Sequence, residues 1–363
     1  MPSQMERRKA EHLRISLEEN VRANVHTGFE DVHLVHRALP EVDRDRIHLN
    51  TTVFKHEFSA PVFIGAITGG TRVAKKINSF IAEAVEELGL GMGVGSQRAA
   101  LENPKLASTY KIVRKKAQSA FLIANIGAPQ LSKGYRVQEA QKAVDMIEAD
   151  ALAIHLNPLQ EAIQPEGEAK YRGVLRKIAE IVDALQIPVV VKETGAGISA
   201  EVASKLEKIG VQGIDVSGAG GTSWAAVEYY RAKTAQDSFR EKLGKRFWDW
   251  GIPTAASVVE TSRSTNTTVI ASGGVRTGKD VAKSLALGAS LACMSTPILK
   301  PATINANKVK EALDFVIEEL RNTMFLVGAE NLERLKKSPA VILGRTADWL
   351  KQRGFKPEAY ARR

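Results

Sequence analysis

Cysteine is almost absent from this chain. Cys293 stands alone among 363 residues, which excludes an internal disulfide framework and any zinc site built on cysteine. A reducing, cytoplasmic setting is the expectation that follows. Long apolar runs are missing too, and none approaches the ~20 residues a membrane-spanning helix needs. The opening stretch MPSQMERRKAEHLRISLEEN is charged throughout and lacks the apolar centre of a secretory signal. Aromatic residues make up only 6% of the chain, with no base-stacking motif among them. Charge is plentiful but unsorted. The 51 Lys and Arg against 41 Asp and Glu leave a net +10, yet the signs alternate, as in RKIAEIVD and KLEKIG. Without a dense basic block, neither nucleic acid nor a membrane surface is expected as a partner. Small phosphorylated ligands suit the excess better.

What the chain does have is a rhythm. After about sixty residues, apolar β-rich runs alternate with stretches of 3.6-residue periodicity. The runs fall at 61–68, 91–96, 121–127, 151–157, 188–193, 213–218, 268–274 and 289–295. Most are apolar on both faces, as strands of an enclosed parallel sheet should be. Eight such units in succession predict an α/β fold, a single-domain (β/α)8 TIM barrel. In this reading 1–60 is an N-terminal arm, 61–300 the barrel core and 301–363 a set of C-terminal helices. An aromatic-rich insertion after the sixth strand, 222–250, is too long for an ordinary loop. It suits a lid or interface element and a plain packing excursion equally.

Polar residues gather where these strands end. Thr68, Ser96, Asn125, His155, Asn157, Lys192, Ser217, Gly273, Gly274, Arg276, Ser295 and Thr296 all fall at C-terminal edges. A barrel brings those edges to one mouth, where its active site is built. SGGVRTGKD, 272–280, pairs two glycines with a helix start, the geometry that receives a phosphate; a ligand-free tight turn is the alternative. SGAGGTSW, 217–224, repeats the device one strand earlier with Thr222. Lys192 ends the otherwise apolar PVVVKE, so it must be paired, depressed in pKa, or snorkelling to water. Asn125 offers donor and acceptor to a heterocycle edge, or simply caps a turn.

In GSQR, Ser96, Gln97 and Arg98 follow the second strand, and Arg98 offers a fork suited to phosphate. Arg8, Lys9 and His12 cluster in RRKAEHL, where a solvated basic helix is the plainer account. HLNPLQE sets His155, Asn157, Gln160 and Glu161 within seven residues. Glu161 can hold a hard cation such as Mg2+ together with substrate phosphates, while a lone His155 is more often structural.

In order, RKAEHL, TGG, GSQR, NIGA, HLNPLQE, VKETGAGIS, SGAGGTSW and SGGVRTG resemble the type 2 isopentenyl-diphosphate delta-isomerases along essentially the whole chain. The resemblance implies an FMN-dependent barrel that interconverts isopentenyl and dimethylallyl diphosphate, uses Mg2+, and needs its flavin reduced, commonly by NADPH. It implies a homo-oligomer, a tetramer or octamer. Ala66, Ile67, Thr68, Ser96, Asn125, Lys192, Ser217, Thr222, Gly273, Gly274, Arg276, Ser295 and Thr296 would hold FMN. Arg8, Lys9, His12, Ser96, Gln97, Arg98 and Gln160 would bind the diphosphate substrate, and Glu161 the Mg2+. His155, Asn157 and Gln160 would complete the catalytic pocket, the chemistry falling mainly to the flavin. Ile67 and the Ser295-Thr296 pair depart from the residues usual there, which touches only details of flavin contact.

Another FMN barrel, of the 2-hydroxy-acid oxidase type, is the main rival, because GGVRTG resembles its phosphate loop. Such an oxidase needs a histidine base near the seventh strand, and no histidine follows His155. An inosine-monophosphate-dehydrogenase-like enzyme needs a loop cysteine, whereas Cys293 lies in an apolar run and reads as core.

Overall fold

The computed structural model describes residues 4–363. Eight parallel strands close into a barrel: β1 Val62–Ile64, β2 Gly91–Gly93, β3 Phe121–Gly127 and β4 Ala151–His155. They continue as β5 Val189–Lys192, β6 Gly213–Asp215, β7 Thr268–Ala271 and β8 Leu291–Met294. Strand β8 returns to pair with β1, Cys293 opposite Phe63.

The helices between them follow local sequence signals. Helix Arg72–Leu88 opens on Thr71, whose side chain accepts the Ala74 N–H, and closes on left-handed Gly89. It buries Ile77, Ile81 and Val85, one stripe at helical spacing. Helix Gly278–Leu287 opens on a capping box of Thr277 and Asp280 and closes on Gly288.

Most strands are shorter than the sequence pattern predicts. The tips at Thr68, Ser96, Asn157, Ser217, Gly273, Gly274 and Ser295 lie in loops just beyond the ladder. Backbone conformation explains several: Ser217, Gly273 and Gly274 take positive φ (37°, 97° and 76°), which no continuing strand permits.

The barrel floor is sealed. A hairpin, Thr51–Val53 with His56–Phe58, pushes Phe54 and Phe58 against Phe63, Phe121, Ile123, Val190 and Leu291. Phe54 stacks on Phe121 at 5.9 Å between ring centroids. Gly213 makes room for this plug, since a Cβ there would lie 2.7 Å from Phe54 Cζ.

The C-terminal stretch is not helical throughout, as the sequence pattern suggested. Strand Ala340–Ile342 pairs antiparallel with Val32–Leu34 of the arm, Val32 opposite Ile342. This short strand was masked by its helical neighbours, because three residues are too few to show a period. The 222–250 insertion forms two helices, Trp224–Thr234 and Ser238–Arg246. It packs on the N-terminal helix Gln4–Glu18, with Ile15 and Val21 against Ala226 and Val227. Among the described residues no helix is long and apolar enough to cross a membrane.

Candidate active site

A cavity of about 280 Å³ fills the C-terminal mouth of the barrel. Its roof is the N-terminal helix, which brings Arg8, Lys9 and His12 over the opening. The solvated-helix account therefore fails for this face. Strand pairing builds the floor. His155, Lys192 and Asp215 are direct register partners on β4, β5 and β6, so their side chains form one polar row above the apolar plug.

Each member of the row is fixed by its neighbours. Asn125 Nδ2 donates to Val94 O (3.0 Å), which leaves its Oδ1 to face His155 Nδ1 at 2.9 Å. The His155 proton therefore sits on Nδ1, and Nε2 is an acceptor. Burial, then the positive charges of Lys192 and Lys9, push its pKa down to about 3, so it stays neutral. Lys192 Nζ donates to Glu193 O at 2.6 Å. Burial raises the Asp215 carboxyl above its usual range against the pull of Lys192 and of a hydrogen bond from Ser272. Next to the row, Glu193 Oε2 accepts the N–H groups of Thr194, Gly195 and Ala196 at 2.5–2.6 Å. Burial nevertheless lifts its pKa to about 7.

The two glycine-rich turns meet. A Cβ on Gly273 would fall 2.1 Å from Gly218 O, and one on Gly221 would fall 2.5 Å from Gly274 N. Arg276 stitches them together by donating to Gly274 O (2.8 Å) and Gly220 O (3.1 Å). Thr222 Oγ1 lies 3.0 Å from Thr296 Oγ1, joining the sixth and eighth loops. Ala66, Ile67, Thr68, Ser217 and Ser295 complete this wall.

On the opposite wall, Lys9 Nζ donates to Ser96 O and Tyr110 Oη, both at 2.7 Å. Burial and the nearby Arg8 and Arg98 push Lys9 down to about 7. Arg98 is steadied by Glu102 (2.7 Å) and faces Glu168 at 3.7 Å. Gln97 does not join this wall. It is fully buried, its Nε2 donating to Ala143 O and its Oε1 accepting the Asn125 N–H, both at 2.8 Å. Ser96 and Arg98 face the cavity while the side chain between them turns into the packing behind.

The HLNPLQE segment forms the short helix Pro158–Ile163. Asn157 Nδ2 donates to Gln160 Oε1 (3.1 Å) and Glu161 Oε1 (2.9 Å). Gln160 Nε2 donates to Glu228 Oε1 at 3.2 Å. Glu228, unforeseen from the sequence, is the hub of the roof. It also faces His12 Nε2 (2.9 Å) and receives Arg231 Nη1 (2.7 Å). Burial works against its charge, but the His12 bond and charge, Arg231 and Gln160 hold its pKa at about 2. The insertion thus clamps the N-terminal helix onto the site, and Arg231 adds a bond to Glu11 at 3.0 Å.

The arrangement has a cationic wall, a glycine cradle, a carboxylate at Glu161 and a polar floor above an apolar plug. Known proteins with this architecture bear on it. The FMN-dependent dehydrogenase family matches residues 155–342. Solved structures sharing the fold include a mandelate oxidase variant with an FMN adduct, 17% identical, TM-score 0.61, covering 92% of each chain. Another is a flavocytochrome b2 variant with sulfite bound, 18% identical, TM-score 0.66, covering 96% of this chain and 88% of that one. At such identities the likeness is one of fold.

Whole-chain relatives are far more similar. The isopentenyl-diphosphate delta-isomerase of Methanothermobacter thermautotrophicus is 50% identical over 356 residues, 98% of this chain and 99% of that protein. The Thermococcus kodakarensis protein of the same name is 51% identical over 354 residues, 95% of this chain and 94% of its own. These matches set aside the hydroxy-acid oxidase reading, and the chain belongs to the FMN-dependent, type 2 family of isopentenyl-diphosphate delta-isomerases.

Proposed function

We propose that this enzyme interconverts isopentenyl and dimethylallyl diphosphate with FMN kept reduced, by NADPH, and with Mg2+ on the diphosphate. The observation that carries the proposal is the polarity of a single cavity. One wall collects Arg8, Lys9 and Arg98, the opposite wall is the glycine cradle, and the apolar plug closes the floor.

The residues fit both groups. A cradle whose glycines leave no room for a Cβ supports a phosphate held on backbone N–H groups beside Thr222 and Arg276. Glu161 receives one donor on each oxygen, Asn157 Nδ2 and the Glu168 N–H. Each oxygen keeps a lone pair for Mg2+, which needs only one or two carboxylates when phosphates supply the rest.

An alkene is a very weak base, and no side chain of ordinary pKa suits its protonation. Reduced FMN supplies that acid–base chemistry when bound. The protein's own part is to bind, orient and keep water away. Arg8, Lys9 and Arg98 take the diphosphate charge. Glu228 fixes Gln160, and through it Asn157, so that this amide pair presents one orientation to the substrate tail. Neutral His155, with its proton committed to Asn125, adds no charge beside a cation-like reacting carbon. Lys192 supplies positive charge at the floor, where exclusion of water strengthens its effect on an anionic ring.

An absorbance spectrum before and after reduction, followed by an isomerase assay with and without Mg2+, tests this. The proposal expects a flavin spectrum, activity only after reduction, and loss of activity in chelator. Lys192→Ala is expected to lose flavin or activity. Colourless protein, or turnover of hydroxy acids with oxygen uptake, would overturn the reading.

A further inference from the structure

One face of the HLNPLQE helix carries more acceptors than the chemistry above uses. Asn157, Gln160, Glu161 and Gln164 follow the i, i+3, i+4, i+7 spacing of a single helical stripe, and all four line the cavity. Three are bonded into the network already described. Gln164 is different. It is only 4% exposed, its backbone N–H is engaged with Gln160 O at 2.9 Å, and its side-chain Oε1 is buried without a hydrogen-bond partner. A second buried acceptor in the same loop, Glu168 Oε2, is also unpaired, while the Glu168 N–H closes back onto Glu161 Oε2 at 2.6 Å.

A buried acceptor left without a partner is costly, so such groups mark where something else binds. What binds here cannot be the anion alone. A diphosphate presents only acceptor oxygens, and a prenyl tail presents no donor. The complement of a carbonyl oxygen is a cation or an N–H or O–H donor, and, three residues from the Glu161 carboxylate, the partner that both acceptors can share is a cation or a water it carries. Hard divalent cations take neutral amide oxygens alongside carboxylates, and a neutral oxygen adds affinity without competing charge.

We propose that Gln164 Oε1 is a second protein acceptor for the divalent cation held at Glu161, receiving the ion or one of the waters it carries. This rests on the reading of Glu161 as the Mg2+ residue. Gln164 then sets where the ion sits along the stripe, and Gln160 and Asn157 between them keep the substrate tail on the other side.

Calorimetric binding of inorganic diphosphate to the FMN-loaded protein, once in excess Mg2+ and once in chelator, tests the assignment without turnover. In the wild type Mg2+ should tighten binding. Gln164→Leu should lose roughly tenfold of the Mg2+-dependent affinity, as partners of metal sites typically do, with metal-free affinity unchanged. Gln164→Glu, which restores an acceptor, should recover or exceed the wild-type response. Equal weakening in both conditions would mean that the amide touches the anion instead, and no change in either would mean that it touches nothing; both overturn the proposal. A wild type indifferent to Mg2+ would remove the metal reading of Glu161 and this inference with it. A Glu161→Gln variant that loses the Mg2+ response while Gln164→Leu keeps it would remove only the inference.

Discussion

On the function proposed above, Lys9 should make diphosphate binding proton-coupled, and the size of the effect follows from its surroundings. Its amine is drawn from 10.5 down to about 7 by burial and by Arg8 and Arg98. A shift of that size is worth up to about 5 kcal/mol, less whatever water screens at the open mouth. Below pH 7 the amine is charged in folded and unfolded chains alike, and the folded state bears the full cost. Between 7 and 10.5 only the unfolded chain binds the proton, so stability of the ligand-free protein rises with pH. A diphosphate between the three cations reverses their repulsion and pulls the Lys9 pKa back up. At pH 8.5, binding should therefore take up close to one proton. The ligand adds none, because the terminal phosphate of an organic diphosphate loses its last proton at about 6. Titration of isopentenyl diphosphate into the oxidised protein, in buffers of different ionisation enthalpy, reads the proton directly. Lys9→Met should abolish the uptake. A binding heat that does not vary with buffer in the wild type would refute the argument.

Glu228→Gln leaves His12 and Arg231 facing a neutral amide inside the roof, but Arg231 keeps Glu11 and Glu166, so the loss of the charge-assisted bonds should cost roughly 1–3 kcal/mol, seen as a lowered Tm. Gly273→Ala asks a Cβ to sit 2.1 Å from Gly218 O at a φ of 97°. Strain of roughly 1–3 kcal/mol should spread the two turns, and gel filtration should strip flavin from this variant but not from wild type. Asp215→Asn removes an ionisable carboxyl beside Lys192, so the midpoint potential of the bound flavin should move positive; an unchanged potential would separate Asp215 from the flavin electrostatics.

The barrel was legible in the sequence because its strands are apolar on both faces and recur eight times. The mouth was legible for the same reason: a polar residue ending such a strand stands out. Lys192 stands out that way, and Asp215, which ends β6 in GIDVSG, carries the same signal. Gln97 differs from the expectation because neighbours in GSQR face opposite directions once the turn forms, which spacing alone does not reveal. Glu228 was invisible for another reason. Its partner His12 lies 216 positions away, and only the packing of the insertion on the arm brings them together. Gln164 is legible by its spacing, lying two helical turns beyond Asn157.

The arm that carries Arg8 and Lys9 is also fastened at its far end, where Val32–Leu34 zips to Ala340–Ile342. That hem ties the arm above the cavity to residues 340–342, none of which lines the cavity itself. Breaking that pairing would then slacken the roof of the cavity while the barrel beneath it keeps its ladder.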